Sequence, residues 1–257
     1  MAGLNVRSIL VTGANRGIGL ELVKQLLGNS NPPAWVFGTC RDPAGAQELQ
    51  NLAAHHRNLV IVALDVTHPP SIEAAAARVE AHLKGSGLHL LINNAGIVKK
   101  NTLESETPED MALVYATNTT GPLLVSQAFL PLLKEAARGS PQGGLSCSKA
   151  AIVNMSSDCG SIQNVFSWHV GQVISYRCSK AALNMLTKCQ ALGYGGDGIL
   201  SVAVHPGWVQ TDMGNRASVK APLPVDVSVR GMLHVLSTLS EKDNGAFVNW
   251  EGKVLPW

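Results

Sequence analysis

The sequence lacks the features typical of membrane, secreted and nucleic-acid-binding proteins. No apolar run approaches the roughly 18–20 residues of a membrane-spanning helix, and the short apolar stretch near the N-terminus does not predict a secretory signal. The net charge is only +2 at pH 7, which is too small to indicate a nucleic acid or an anionic membrane surface as a partner. With 46% hydrophobic and 15% charged residues, the chain is expected to be globular.

Cysteine is too scarce and too irregularly spaced for a disulfide framework or a zinc site. The five cysteines are odd in number and include no Cys-x-x-Cys pair. Such usage is typical of reduced thiols in a cytoplasmic protein, and we expect no metal centre. The cysteines are Cys40, Cys147, Cys159, Cys178 and Cys189.

What the sequence does contain is a regular alternation of strand and helix patterns. Apolar, β-branched runs predict strands buried on both faces, at 8–12, 34–39, 59–64, 88–93, 151–156, 199–205 and, more weakly, 245–250. Helical spacing occurs at 17–27, 44–56, 72–83 (with Ser71 as a start cap), 108–137, 176–192 and 225–239. We therefore predict an α/β fold over residues 1–257: one doubly wound, Rossmann-type domain with a seven-stranded, mostly parallel sheet.

The pentapeptide CSKAA occurs twice, at 147–151 and 178–182. The first copy follows a loop rich in Gly, Ser and Pro at 138–148, and we interpret it as a coincidence of common residues. The second copy lies within a predicted helix, where Tyr176 and Lys180 are four residues apart and share one face. A nearby ammonium favours the phenolate form, so this spacing predicts a lowered tyrosine pKa and acid–base chemistry. An exposed Tyr and Lys on a helix surface is the alternative.

The first predicted strand runs directly into TGANRGIG, at 12–19, and a helix follows. Glycines allow a tight turn and close approach to a phosphate, and the N-terminus of the next helix offers free N–H groups to an anion. The spacing Gly-x-x-x-Gly-x-Gly differs from the usual dinucleotide fingerprint. An ordinary strand-to-helix turn is the alternative interpretation.

Together these motifs are similar to those of the short-chain dehydrogenase/reductase family. TGANRGIG is followed, in the family's order, by NNAG at 93–96, by Tyr176 with Lys180, and by Pro206-Gly207. Four motifs in register cover nearly the whole chain. Within the family, TGANRGIG, HPGWVQTDMG and NWEGKVLPW resemble the carbonyl reductases of the sniffer and C-factor type.

The resemblance implies four catalytic residues. Tyr176 would exchange a proton with the substrate oxygen, and Lys180 would tune Tyr176 and hold the nicotinamide ribose. Ser157 in NMSSDCGS would polarise the carbonyl, with Ser156 as the alternative. Asn118 would hold a water in a proton relay, unless it is a helix-interior Asn bonded to backbone.

The end of the second predicted strand, GTCRDP, bears on the choice of cofactor. Arg41 in that position is suited to the 2′-phosphate of NADPH, and Arg16 is expected to close on the same phosphate. Asp42 turned inward would instead bind the ribose hydroxyls of NAD. The resemblance to the NADP-binding members favours NADPH.

The resemblance also implies a set of cofactor-binding residues. Asp65 is expected at the adenine, although it also suits a turn, and Asn93 is expected to brace the sheet as well. His205 is better interpreted as a strand-end residue. The expected set is Gly13, Asn15, Arg16, Gly17, Ile18, Gly19, Arg41, Asp65, Val66, Asn93, Ala95, Gly96, Tyr176, Lys180, Pro206, Gly207, Val209 and Thr211.

These expectations lead to an NADPH-dependent carbonyl reductase acting on small aldehydes, ketones or quinones. The alternatives are a cofactor-binding regulatory or scaffold protein with little turnover, and an NAD-dependent alcohol dehydrogenase. Substrate specificity is assigned to segments 158–175 and 212–226, which carry no recognisable code; Trp168 and His169 lie in the first. Family members often pair through helices, so a homodimer is a further expectation.

Overall fold

Seven short strands form the centre of the molecule, and most of their side chains are buried. The computed structural model describes residues 4–216 and 220–257. The strands are β1 (Ser8–Val11), β2 (Trp35–Cys40), β3 (Leu59–Ala63), β4 (Leu90–Asn93), β5 (Ala151–Met155), β6 (Leu200–His205) and β7 (Phe247–Asn249). They pair in the order β3-β2-β1-β4-β5-β6-β7, and every pairing is parallel. The predicted seven-stranded, doubly wound sheet is confirmed, and its described strands are all rather than mostly parallel.

Helices cover both faces of the sheet, as burial of both strand faces requires. They are α1 (Gly17–Leu27), α2 (Gln47–His55), α3 (Pro69–Leu83), α4 (Pro108–Tyr115), α5 (Gly121–Gly139), α6 (Ile174–Tyr194) and α7 (Val225–Thr238). One apolar core lies between the sheet and α1, α2 and α7. A second core lies against α3 and α5, with the end of α6 at its edge. The two cores hold the sheet rigid beneath the loops at its carboxyl edge.

Two predicted helix boundaries are wrong for identifiable reasons. Helix α3 begins at Pro69, and its cap is His68, whose Nδ1 accepts from the Ser71 amide at 3.3 Å. The proposed cap Ser71 lies inside the helix, where its hydroxyl accepts from the Asp65 amide at 2.9 Å. Helix α2 begins at Gln47 rather than at 44 because the preceding residues form a turn around Asp42.

The stretch 108–137 is not one regular helix. A π-helical segment, Ala116–Thr120, separates α4 from α5. Such a segment inserts an extra residue into the helical turn and is frequent at functional sites. The side chain of Asn118, within this segment, is fully buried.

Some sequence expectations fall outside the described residues or receive no direct structural test. Residues 1–3, and 217–219 within the expected specificity segment 212–226, lie outside the described residues. Among the described residues, none of the helices combines the length and apolarity needed to cross a membrane. Within the same ranges, His, Cys, Asp and Glu side chains do not gather in groups of three that could hold a metal ion.

Candidate active site

The turn between β1 and α1 has a backbone geometry that glycine permits and other residues resist. Gly13 and Gly17 have φ of 65° and 55°, in the left-handed region that L-residues seldom adopt. A Cβ on Gly13 would lie 3.0 Å from the Cα of Ala95, and one on Gly19 would overlap the Gly13 carbonyl. The glycines therefore bring the β1 turn into direct contact with the NNAG segment after β4.

The N-terminus of α1 is open to an anion. Among the described residues, no side chain caps this helix, and its N-cap Arg16 has an extended backbone. The turn is held from below by Asn94, whose Nδ2 donates to the carbonyls of Thr12 at 2.9 Å and Gly13 at 3.2 Å. Fixed, uncapped amides at a helix N-terminus suit a pyrophosphate. The glycine cradle thus fits a dinucleotide by shape and by charge.

One cleft of about 1380 Å³ runs along the carboxyl edge of the sheet and gathers most of the predicted site residues. Three predicted residues do not line it: Gly19, Asn93 and Asn118. Those that do are Gly13, Asn15, Arg16, Gly17, Ile18, Arg41, Asp65, Val66, Ala95, Gly96, Ser157, Tyr176, Lys180, Pro206, Gly207, Val209 and Thr211. Lys149 of the first CSKAA lies elsewhere and donates to the carbonyl of Gly144.

Asn93 stabilises the sheet from the inside instead of facing the cleft. Its side chain is 3% exposed, and Nδ2 donates to Ser126 Oγ at 3.2 Å and to Asn154 Oδ1 at 2.9 Å. These bonds join β4 to β5 and α5. The polar side chain that reaches the glycine turn belongs to the next residue, Asn94. The expected bracing role of Asn93 matches these contacts, whereas its expected cofactor contact does not.

The end of the cleft beside β2 and β3 carries Arg41 and Asp65. Burial disfavours the charged form of Asp65, but hydrogen bonds from Thr67 and the nearby Arg41 outweigh it and lower the pKa of the carboxyl. One oxygen of Asp65 accepts from the amide and hydroxyl of Thr67, at 2.9 and 2.7 Å. Asp65 therefore forms the turn that the sequence offered as an alternative, while still lining the cleft.

Asp42, the competitor of Arg41 in the sequence argument, and Arg16, its expected partner, both have other contacts. Asp42 is exposed and accepts from the Ala44 amide at 3.0 Å, within its own turn, so it is absent from the lining of the cleft. Arg16 lines the cleft, but its Nη1 pairs with Asp212 at 3.3 Å. Both members of that pair are largely exposed, and such pairs contribute little stability. Arg16 must leave Asp212 before it can join Arg41 on one phosphate.

Lys180 is a buried cation next to Tyr176. Its Nζ donates to the carbonyl of Met155 at 2.6 Å and lies 5.6 Å from the centre of the Tyr176 ring. Burial disfavours the ammonium and lowers the pKa of Lys180 to about 8, although Cys159 acts in the opposite direction. The predicted closeness of the pair on one face of α6 is therefore present.

The pKa of Tyr176 lies above its usual value, whereas the sequence predicts a lowered one. Burial raises it, Cys159 and Asp158 add to the rise, and the Ser157 hydroxyl partly opposes it. Burial of a phenol favours its neutral form. Sequence spacing revealed the neighbour but not the degree of burial, and burial dominates.

Ser157 belongs to a polar cluster after β5. Its hydroxyl donates to Asp158 Oδ1 at 3.2 Å and accepts from the Cys159 amide at 3.2 Å. Asp158 Oδ2 lies 3.5 Å from His205 Nε2, at the end of β6. Burial lowers the pKa of His205, although Asp158 opposes it. The alternative serine, Ser156, donates to Asn184 at 2.6 Å, so its hydroxyl is already engaged.

Asn118 is held between the NNAG segment and α6. Its Oδ1 accepts from the Ile97 amide at 2.9 Å, and its Nδ2 donates to the Ile97 carbonyl at 2.9 Å and to Ser179 Oγ at 3.0 Å. The side chain therefore connects three elements around Lys180. Asn118 bonds to backbone groups, as the alternative of a helix-interior Asn bonded to backbone requires. These groups belong to Ile97, in the loop after β4, and not to the helix that carries Asn118.

Sequence reasoning overlooked several polar residues that line the cleft. Asn94 stood inside the quoted NNAG motif, and Asp158 and Cys159 directly follow Ser157. Arg177 also lines the cleft and is only 8% exposed. Arg177 lies three residues before Lys180 on a predicted helix, which places both side chains on the same face. The sequence therefore indicates that Arg177 faces the site.

Comparison with known proteins settles the family. Residues 7–221 match the family model described as short chain dehydrogenase. The chain belongs to the short-chain dehydrogenase family. The chain is also similar to an uncharacterised oxidoreductase of Schizosaccharomyces pombe, with 32% identity over 263 residues that cover 96% of each chain.

Two solved structures resemble this short-chain dehydrogenase along its whole length. The NADPH-bound carbonyl reductase from chicken fatty liver has 66% identity and a TM-score of 0.95, and the match covers 99% of this chain and 100% of that one. The carbonyl reductase Sniffer of Drosophila melanogaster has 41% identity and a TM-score of 0.93, covering 98% and 100%. The resemblance to sniffer-type carbonyl reductases that the motifs predicted is confirmed.

Proposed function

We propose that this oxidoreductase is an NADPH-dependent carbonyl reductase that acts on aldehydes, ketones or quinones. The observation that carries the proposal is the grouping of Ser157, Tyr176 and Lys180 in one cleft with an uncapped, glycine-lined helix N-terminus. Bound NADPH would supply the hydride. The protein's own task is then to bind the carbonyl, deliver a proton to its oxygen and exclude water.

Tyr176 is the proposed general acid. The raised pKa means that the phenol holds its proton near neutral pH and is a weak acid on its own. Lys180 lies close enough to stabilise the phenolate that remains after proton transfer. Proton transfer to a carbonyl oxygen therefore depends on the nearby cation.

Ser157 is the proposed hydrogen-bond donor to the substrate carbonyl. Because its hydroxyl now donates to Asp158, it has to rotate toward the substrate before it can polarise the carbonyl. Ser156 is less suited, since its hydroxyl is committed to Asn184. Asn118 is proposed to support Lys180 through the contacts it makes with Ile97 and Ser179.

NADPH is favoured over NADH by the charges at the β2 end of the cleft. Arg41 lines the cleft, and Asp42, which would select NADH, is engaged in its own turn. A guanidinium pairs with a 2′-phosphate in a forked geometry. The similar chicken protein is described as NADPH-bound, which supports the same choice here.

The proposal is tested by following the oxidation of NADPH and NADH in parallel, with phenanthrenequinone as the carbonyl substrate. We expect wild-type protein to oxidise NADPH much faster than NADH. Tyr176→Phe should reduce turnover by about 10²-fold or more, while NADPH binding, measured by its fluorescence, survives. Tyr194→Phe is the matched control, because it removes a hydroxyl from the same helix without touching the cleft.

Other outcomes would assign the protein to a different class. Turnover retained in Tyr176→Phe would refute the proton-transfer role. NADPH binding without oxidation of any carbonyl would favour a cofactor-binding scaffold protein, and a preference for NADH would favour an alcohol dehydrogenase. Replacing Arg41 by Leu should weaken NADPH binding while leaving NADH binding nearly unchanged.

We also propose a cytoplasmic location and a homodimer. All five cysteines are free thiols, which supports a reducing compartment. Large apolar side chains are exposed on two neighbouring helices, namely Leu113 on α4 and Met185 and Leu192 on α6. Burial of such side chains against a second copy is favourable.

A further inference from the structure

The loop from Ser161 to Val173 has a backbone that needs an external support. Three residues of this loop that are not glycine have left-handed φ values: Val165 at 43°, Ser167 at 56° and Val173 at 39°. Branched side chains strongly disfavour this region. Such a conformation persists only when surrounding contacts impose it. The loop lies between Ser157 and Tyr176, so its support affects the site directly.

The side chain of Arg177 supports this loop at several points. Its Nε donates to the carbonyl of Gln172 at 2.7 Å, and its Nη2 donates to the carbonyls of Phe166 at 2.8 Å and Gly171 at 3.0 Å. The guanidinium carbon also lies 5.6 Å from the centre of the Trp168 ring, within range of a cation–π contact. Arg177 therefore contacts the loop at four points, and each strained residue is next in sequence to one of them.

The chemistry of these contacts requires arginine. A guanidinium presents donors in a fixed fork, whereas a lysine ammonium is a single point on a flexible stem. Arg177 is 8% exposed, and among the described residues its Nη1 is buried without a hydrogen-bond partner. Burial of an incompletely paired cation costs stability. The presence of Arg177 here is explained by its role in positioning the loop.

Arg177 also couples the loop to the catalytic helix. It follows Tyr176 in sequence and lies three residues before Lys180, on the buried face of α6. Residues of the loop that line the cleft are Ser167, Val170, Gly171, Gln172 and Val173. The loop also exposes four large apolar side chains, Ile162, Val165, Phe166 and Val170. Val170 is the one of these four that lines the cleft, so a substrate large enough to reach beyond Tyr176 would meet its apolar side chain.

We propose that Arg177 is a positioning residue that holds the Ser161–Val173 loop against α6 and thereby sets the binding of large apolar carbonyl substrates. The inference rests on the proposed function, and it concerns specificity and not the chemical step. A small carbonyl reaches Ser157 and Tyr176 without touching the loop. A multi-ring carbonyl needs the loop in place.

The test compares Arg177→Met and Arg177→Lys with wild type on two probes, phenanthrenequinone and propanal. Loss of the loop's support should raise KM for the quinone about tenfold or more, since misplacement of a contact surface by about 1 Å has effects of this size. KM for propanal and NADPH binding should stay within about twofold. The Lys variant should fall between Met and wild type. Arg230→Met is the control, because Arg230 forms an exposed pair with Asp226 on α7.

A second measurement tests the support without turnover. Chymotrypsin cuts after Phe and Trp, and Phe166 and Trp168 both lie in the loop. We expect Arg177→Met to be cut there at least about fivefold faster than wild type, since the rate follows local opening, with Arg230→Met unchanged. Mass spectrometry of the fragments identifies the sites.

The outcomes separate this inference from the proposed function. If wild type oxidises NADPH with neither probe, the proposed function fails, and the cleavage rates still decide the role of Arg177. Equal rises in KM for both probes, or cleavage rates equal to wild type, would overturn the inference. If the Met variant does not bind NADPH because it is misfolded, the Lys variant carries the same test.

Discussion

At the scale of single residues, the site depends on a cation buried without a carboxylate partner. Lys180 is 5% exposed, and among the described residues it pairs only with the Met155 carbonyl. Burial of an ammonium in this way destabilises the fold while keeping the charge available to Tyr176 and a substrate. The fold is therefore destabilised at the position where the proposed mechanism uses a positive charge.

This cost gives a pH dependence with a definite sign. The pKa of Lys180 is lowered from 10.5 to about 8 by burial, so between these values the unfolded chain holds a proton that the folded chain has lost. Folding stability linked to this group therefore rises with pH from about 8 to 10.5. We expect the free energy of unfolding of wild type, relative to that of Lys180→Met, to increase between pH 7 and pH 9. At higher pH the increase should approach about 3 kcal/mol.

The comparison is made by urea denaturation of cofactor-free protein at both pH values. Subtracting the variant removes the contributions of the buried cysteines and tyrosines, which have the opposite sign. Lys188→Met changes an exposed residue of the same helix. The difference between its free energy of unfolding and that of wild type should be the same at both pH values. A pH-independent gap for Lys180→Met as well would contradict the buried-ammonium interpretation.

At the scale of elements, the site is set by how closely α6 packs on the turn after β5. A Cβ on Gly160 would lie 2.8 Å from the Lys180 carbonyl carbon and 2.9 Å from its Cβ. The absence of a side chain at Gly160 therefore fixes the separation between the turn that carries Ser157 and the helix that carries Tyr176. In the proposed mechanism, proton delivery and carbonyl binding rely on that separation.

Replacing Gly160 by Ala should push these elements apart. We expect a loss of about 1–3 kcal/mol in stability from overpacking, and a fall in kcat of about tenfold or more because the two groups are misplaced. Gly193→Ala is the matched control. Gly193 lies in α6, and nothing lies within 4 Å of a Cβ added there. It should gain up to about 1 kcal/mol with kcat unchanged. Unchanged kcat in Gly160→Ala would show that the spacing is not critical.

Elements with a strong local pattern were predictable from sequence, and those decided by distant contacts were not. Buried strands and the glycine turn follow from runs and spacings within a few residues. The Pro69-Pro70 pair with His68 before it is also a local start signal, since proline is favoured in the first turn of a helix. The π-helical segment was not predictable, because Asn118 is drawn inward by Ile97 and Ser179, which are distant in sequence.

The same distinction holds within the site. Tyr176, Lys180 and Ser157 were found because their motifs lie in short stretches. The link from Ser157 through Asp158 to His205 joins two strand ends 47 residues apart, and only the sheet order brings them together. The raised pKa of Tyr176 likewise depends on burial, which helical spacing does not measure.

At the scale of the whole molecule, the cleft lies where the strand order reverses. The chain builds β1, β2 and β3 outward in one direction and then returns to place β4 beside β1. The helices that follow β1 and β4 therefore lie on opposite faces of the sheet, and such a switch point is the usual ligand position in open parallel sheets. The glycine turn and the NNAG segment contact each other there, and both line the cleft.

The all-parallel sheet also determines at what stage of folding the site forms. Parallel neighbours need long crossovers, so the pairings are non-local and form slowly compared with helices. Since the cleft draws on residues from Gly13 to Thr211, no early intermediate contains it. After dilution from urea, helical circular dichroism should recover well before NADPH fluorescence and NADPH oxidation do. Simultaneous recovery of all three signals would indicate that the crossovers form in one cooperative step.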